Sequence, residues 1–192
     1  MVRERVEEAK GTRERILDVA LDLFVEKGFD KTSLREIAAQ LGFSKAALYY
    51  HFASKDDILL ALHHRLHQLM FVDDGWPLGG QRITVGLWVT MLDGFIDKIP
   101  ANRQLIALHE RNRAAFEALH DKEHERVHGD LDEQLLAALE DPSIPDRQRV
   151  RMAVAFAGIM GGLLFSGDSL GGMSNEEMVD ELKRAVHAVL EV

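Results

Sequence analysis

The sequence predicts an all-α fold, and three observations carry that expectation. Capping pairs recur along the chain, Ser33 with Glu36 and Ser174 with Glu177, each a hydroxyl three residues before a carboxylate. Apolar residues return every three or four positions, as in Leu34, Ile37, Ala38 and Leu41. After Lys55 no run of alternating apolar residues reaches strand length. The expected architecture has about nine helices, with one domain over residues 1–53 and a second over residues 54–192.

Ser33 caps a helix from Leu34 to Leu41, because its hydroxyl accepts from free backbone N–H groups while Glu36 reaches back to the cap. Gly42 supplies the left-handed backbone that closes this helix, Phe43 plugs the turn, and Ser44 caps a second helix from Lys45 to about Tyr50. Two helices joined by so short a turn form the helix-turn-helix geometry, whose second helix enters the major groove of DNA. In that helix Ala47, Leu48 and Phe52 read as the inward set, which leaves Ser44, Lys45, Ala46, Tyr49 and Tyr50 facing out. Hydroxyl, ammonium, phenol and imidazole groups all bond phosphate oxygens. Lys45 suits a guanine edge, and Ala46 suits close backbone approach or a thymine methyl. Tyr49 and Tyr50 also read as ordinary half-buried aromatics, and His51 equally as a hydrogen-bonded spacer between Tyr50 and Phe52.

The helices that follow read in the same way. Ser54 caps a helix through Leu59, Leu62, Leu66 and Leu69 to about Phe71, and Asp73 to Gly80 is the loosest stretch. Ile83 to Ile99 is apolar around nearly its whole circumference and so needs helices on all sides, with Pro100 as its expected end. A shorter helix near Asn102 to Arg111 and a longer one from Arg113 to Leu139 follow, and Asp141 to Pro145 stops the latter. Val150 to Phe165 is apolar almost all round, and Ser174 opens a last helix with Met178, Leu182, Val186, Val189 and Leu190 on one stripe.

Charge at first argues against nucleic acid, since the net charge is −9. It is unevenly spread. From Lys31 to Lys55 there are four basic residues and one acidic, whereas residues 58–192 hold 13 basic and 21 acidic. Screening over about 10 Å hides the acidic body from a phosphate at the basic patch. The mixed-sign N-terminal arm, with Lys10, Arg13 and Arg15, reads either as a reach toward the minor groove or as a solvated tail.

From Thr12 to Leu62 the chain resembles the DNA-binding domain of the TetR family of transcriptional regulators. The resemblance rests on Ile16, Ala20, Leu23, Phe24, Gly28 and Phe29, on Thr32, Ser33, Ile37 and Ala38, and on Leu48, Tyr49, His51, Phe52 and Lys55. Two positions depart from the pattern: Ala46 stands where many members have glycine, and Phe43 where valine or isoleucine is commoner. The resemblance implies that Thr32, Ser33, Tyr49, Tyr50, His51 and Lys55 hold phosphates while Ser44, Lys45 and Ala46 meet bases. It also implies a homodimer on a palindromic operator, commonly with a small inducer bound in the helical body.

The apolar stripes lead to the same assembly. Gly158, Gly161, Gly162 and Phe165, with Met178, Leu182, Val186 and Val189, would form a four-helix interface across a two-fold axis, with packing inside one chain as the alternative. Leu66, Met70, Trp88, Met91, Leu92, Phe95, His109, Phe116, Phe156 and Met160 would line a ligand cavity or simply fill a core. His63 with His67, and His120, His124 and His128, have metal-ligand spacing, but carboxylates around the second group suit a solvated face, and no metal or cofactor is expected. No nucleophile elbow, phosphate loop or HExxH motif is present, so no enzyme activity is expected.

The chain has no cysteine, a charged start from Arg3, and a longest apolar run, Met152 to Phe165, short of the ~20 residues that span a bilayer. A cytoplasmic protein with no membrane partner is expected. The reading is a repressor released from its operator by a small, partly apolar inducer. An activator or inducer-independent regulator is the alternative within the class. A helical ligand- or metal-binding protein without DNA binding is the alternative outside it.

Overall fold

The computed structural model describes residues 2–72, 82–118, 133, 135–164 and 172–191, with residues 2–10, 72, 117–118 and 162–164 given by backbone alone. All of its regular structure is helical. In chain order the helices are α1 (Val2–Lys27), α2 (Leu34–Leu41), α3 (Lys45–His51), α4 (Lys55–His67), α5 (Val85–Arg111), α6 (Arg113–Ala118), α7 (residues 135–140), α8 (Asp146–Leu164) and α9 (Asn175–Leu190). A wider π turn over Gln68–Val72 continues α4. Among the described residues no helix is long and apolar enough to cross a membrane.

Two of these elements depart from the sequence reading. Pro100 does not end a helix, because α5 runs through it from Val85 to Arg111. Proline removes one backbone donor and crowds the preceding turn, at a cost of about 3 kcal/mol. Buried residues on both sides, Ile96 and Ile99 before it and Leu105, Ile106 and Leu108 after it, hold the helix together across that cost. The helix expected over Arg113 to Leu139 begins as α6, which Asn112 opens after α5, and the stretch 119–132 lies outside the described residues.

The chain divides into two compact units, Met1–Leu66 with Ala107–Leu119, and His67–Ile106 with His120–Val192. In the first, Ile16, Leu17, Ala20 and Phe24 of α1, Ile37 of α2, Leu48 of α3 and Ile58, Leu59 and Leu62 of α4 are buried. The second buries Trp88, Leu92 and Ile96 of α5, Met152 and Ile159 of α8 and Val186 and Leu190 of α9. Its helices are also tied by polar pairs: Lys183 to Asp97 at 2.7 Å, His187 to Asp93 at 3.0 Å, and the Gln148 amide donating to the Leu190 carbonyl at 3.0 Å.

Candidate nucleic-acid interface

The geometry of the helix-turn-helix follows from its caps. The Ser33 hydroxyl accepts from the Glu36 N–H at 3.2 Å, and the Glu36 carboxylate accepts from the Ser33 N–H at 2.9 Å. The Ser33 hydroxyl also donates to the Glu36 carboxylate at 2.8 Å, and that bond, with the one from the Ser33 N–H and with Lys27 beside them, holds the Glu36 carboxyl below its ordinary value. Gly42 is left-handed at φ 69°, and the Phe43 N–H reaches the Ala38 carbonyl at 2.8 Å, the wrapping bond of a Schellman turn. Ser44 then caps α3 by accepting from the Ala47 N–H at 3.1 Å. Ser54 and Asp57 form the same reciprocal cap at α4, with bonds of 2.9 and 3.0 Å.

These caps leave α3 with only one buried side chain, Leu48. Ser44, Lys45 and Ala46 are exposed, Tyr49 is 43% exposed and Tyr50 82% exposed. The Lys45 ammonium lies over the Tyr49 ring, and Tyr50 meets His51 edge to face at 5.2 Å, which leaves His51 half-buried. Two free phenols, an ammonium and a helix N-terminus on one face present donors to phosphate and base edges. Ala47, expected inward, is exposed instead, since Leu48 and Phe52 alone fill the space beneath the helix.

Two residues of the expected phosphate set turn elsewhere. Thr32 is 2% exposed, and its hydroxyl donates to the carbonyls of Gly28 at 2.9 Å and Leu23 at 3.3 Å. Lys55 is half-buried and donates its ammonium to the Phe29 carbonyl at 2.6 Å. Ser33 stays exposed as the cap of α2. The arginines of the arm sit on aromatic faces, Arg13 4.8 Å from the Phe52 ring centre and Arg15 5.6 Å from that of Phe43.

The expected ligand-lining residues fall in both units. In the first, Leu66 and Phe116 are buried, and Phe116 stacks with His109 at 5.2 Å and with His63 at 4.6 Å. In the second, Met70, Trp88, Leu92 and Phe95 are buried while Met91, Phe156 and Met160 are half-buried. Trp88 faces Phe156 at 6.1 Å, and its indole N–H has no hydrogen-bond partner among the described residues. Sequence reasoning did not anticipate that His63 and His67 are buried. His120, His124 and His128 lie outside the described residues.

The expected interface residues also separate. Gly158 is exposed and Gly161 half-buried, and a Cβ on either would meet no atom within 4 Å. Gly162 lies in α8, and Phe165 lies outside the described residues. Met178 and Val186 are buried within their own chain, while Leu182 and Val189 are half-buried. The sequence stripe did not single out Val150 and Val154, which are 63% and 53% exposed on α8.

Residues 16–62 match the model of the bacterial regulatory proteins, tetR family. An uncharacterized HTH-type transcriptional regulator, TtgW of Pseudomonas putida, is 41% identical over 96 residues, 48% of this chain and 69% of that protein. IcaR of Staphylococcus aureus (strain Newman), an HTH-type negative transcriptional regulator of the biofilm operon icaADBC, is 50% identical over 46 residues. That match covers 24% of this chain and only 25% of IcaR. A solved TetR-family structure from Syntrophomonas wolfei aligns over 95% of this chain and 96% of its own with a TM-score of 0.65 at 18% identity, a likeness of fold.

Proposed function

The chain belongs to the tetR family of bacterial regulatory proteins and is a transcriptional regulator, and from that premise we propose that it is a homodimeric repressor released from a palindromic operator by a small inducer. Residues 1–53 are its DNA-binding domain and residues 54–192 its ligand-binding and dimerisation domain. It acts in the cytoplasm.

The observation that carries the DNA reading is α3 itself, a capped helix with Ser44, Lys45, Ala46, Tyr49 and Tyr50 all facing solvent. A helix that buries one residue in seven has its outward face free for another surface. Lys45 and Ala46 read bases, while Ser33, Tyr49, Tyr50 and His51 hold phosphates. Dimerisation is supported by the face of α8 that carries Val150, Val154, Gly158 and Gly161, where apolar exposure and missing Cβ atoms favour close approach of a second copy. The sign of regulation is supported by IcaR, which is named a negative regulator.

The inducer reading is supported by Trp88. A fully buried indole N–H with no partner among the described residues offers a donor to a ligand's oxygen or nitrogen. An inducer would act by binding one spacing of the two recognition helices more tightly than another.

Random-sequence selection with the purified protein, followed by salt-dependent gel shift, tests the proposal. The expected result is an enriched palindrome whose binding falls steeply with salt. Recovery of no enriched palindrome overturns it.

A further inference from the structure

The geometry points to a second site, independent of the operator and inducer readings: His63, His67 and His109, the last oriented by Glu110, form a three-imidazole site for a divalent transition ion of the zinc class. His63 and His67 stand one turn apart on α4, and the ring nitrogens that the three histidines offer all lie within 4.8 Å of one another. A tetrahedral ion holds nitrogen ligands at about 2.0–2.1 Å and therefore about 3.3 Å apart, a closure that small side-chain rotations supply. The boundary between the two compact units falls inside α4, after Leu66, so one unbroken helix carries both His63 and His67.

Burial sets this group apart from histidines on a solvated face. His63 is 2% exposed and His67 7%, while His109 is half-buried. The rings of His63 and His109 stack at 5.0 Å, and Phe116 covers both, at 4.6 and 5.2 Å. Such an apolar wall limits the access of water to a bound ion. His109 also has the companion that metal-bound histidines carry. Its Nδ1 faces the Glu110 carboxylate at 3.4 Å, and the Arg113 guanidinium holds Glu110 in turn at 2.7 Å. A carboxylate at Nδ1 keeps the proton on that nitrogen and leaves Nε2 for the ion.

The donor set names the class of ion. Magnesium and calcium take oxygen ligands, whereas imidazole suits zinc and its neighbours, and three protein ligands leave a fourth tetrahedral position open to water or a small anion. Spacing along the chain displays only His63 and His67 as a pair. The fold adds His109 from the far end of α5.

Untagged full-length protein, stripped with EDTA and titrated with Zn2+ in a calorimeter, is expected to bind one ion per chain with a Kd below about 1 µM. His63→Phe keeps a ring against Phe116 and removes a ligand, so it should abolish that binding, as should His109→Phe. Glu110→Gln retains all three imidazoles and should weaken binding about 10–100-fold. It also carries the test where a histidine variant does not fold. No binding by the wild type, or only weak binding of several ions, overturns the inference and leaves three packed core histidines. One-ion binding that survives both histidine substitutions, or wild-type affinity in Glu110→Gln, overturns it equally.

Discussion

The Lys45 ammonium lies 5.3 Å from the centre of the Tyr49 ring, one turn further along α3. This pairing steers both side chains along the outward face without help from the core. Lys45→Ala is expected to cost about 1–3 kcal/mol of operator affinity and to relax the preference at one base pair of each half-site. Tyr49→Phe keeps the ring and loses one phosphate donor, so it should weaken all sequences alike. Competition gel shifts with single-base operator variants separate the two patterns.

Gly42 holds φ 69° with open space where a Cβ would stand. Gly42→Ala therefore adds no clash and strains only the backbone, at about 1–2 kcal/mol. For a chain of this size that corresponds to a melting temperature lower by roughly 2–8 °C, read by calorimetry. An unchanged melting temperature would mean the turn relaxes out of its left-handed form.

How much of this was legible in the sequence depends on how local each determinant is. The caps at Ser33, Ser44, Ser54 and Ser174 and the turn at Gly42 involve partners within a few residues, and a linear string displays them. The course of α5 through Pro100 was not legible, because the burial that outweighs a local stop signal comes from the folded surroundings. The contacts of Lys55 with the Phe29 and Asp30 carbonyls were not legible either, because those partners lie 26 and 25 residues away. The stripe on α9 had the right period for either an internal core or an interface, and Met178 and Val186 went inward.

Three carboxylates make the fold sensitive to acid. Bonds from Ser33 lower the pKa of Glu36, bonds from Ser174 lower that of Glu177, and bonds from Ser143 together with Arg82 bring Asp141 to about 2. A carboxyl with a depressed folded pKa binds its proton more readily once unfolded, so its contribution is complete above the ordinary values of 3.8 and 4.5. It is lost as pH falls through the folded values. Urea denaturation from pH 5 down to pH 2 should show stability declining, more shallowly in Glu36→Gln and Glu177→Gln.

The α8 face offers a direct check on assembly. Val154 is 53% exposed and holds no core position, so Val154→Arg should leave the helical signal intact. The same substitution buries a charge in the proposed interface and should shift sedimentation from dimer to monomer, with loss of operator binding. A dimer that persists would move the interface elsewhere.

Trp88→Phe separates packing from ligand recognition. The deleted N–H has no bond to lose among the described residues, so the cost should stay below the roughly 3–5 kcal/mol of a truncated core aromatic. Urea denaturation measures that cost. Operator affinity is expected to hold, while release by an inducer found through native mass spectrometry should weaken.

The anchoring of α3 by Leu48 and its C-cap Phe52 also bears on descent. Residues 44 to 47 face solvent, and apart from the Ser44 cap they take no part in the packed interior. Substitutions at Lys45, Ala46 and Ala47 can accumulate without a folding penalty. A duplicated copy of such a gene can thus drift to a new regulatory address by few steps, each of them a viable protein.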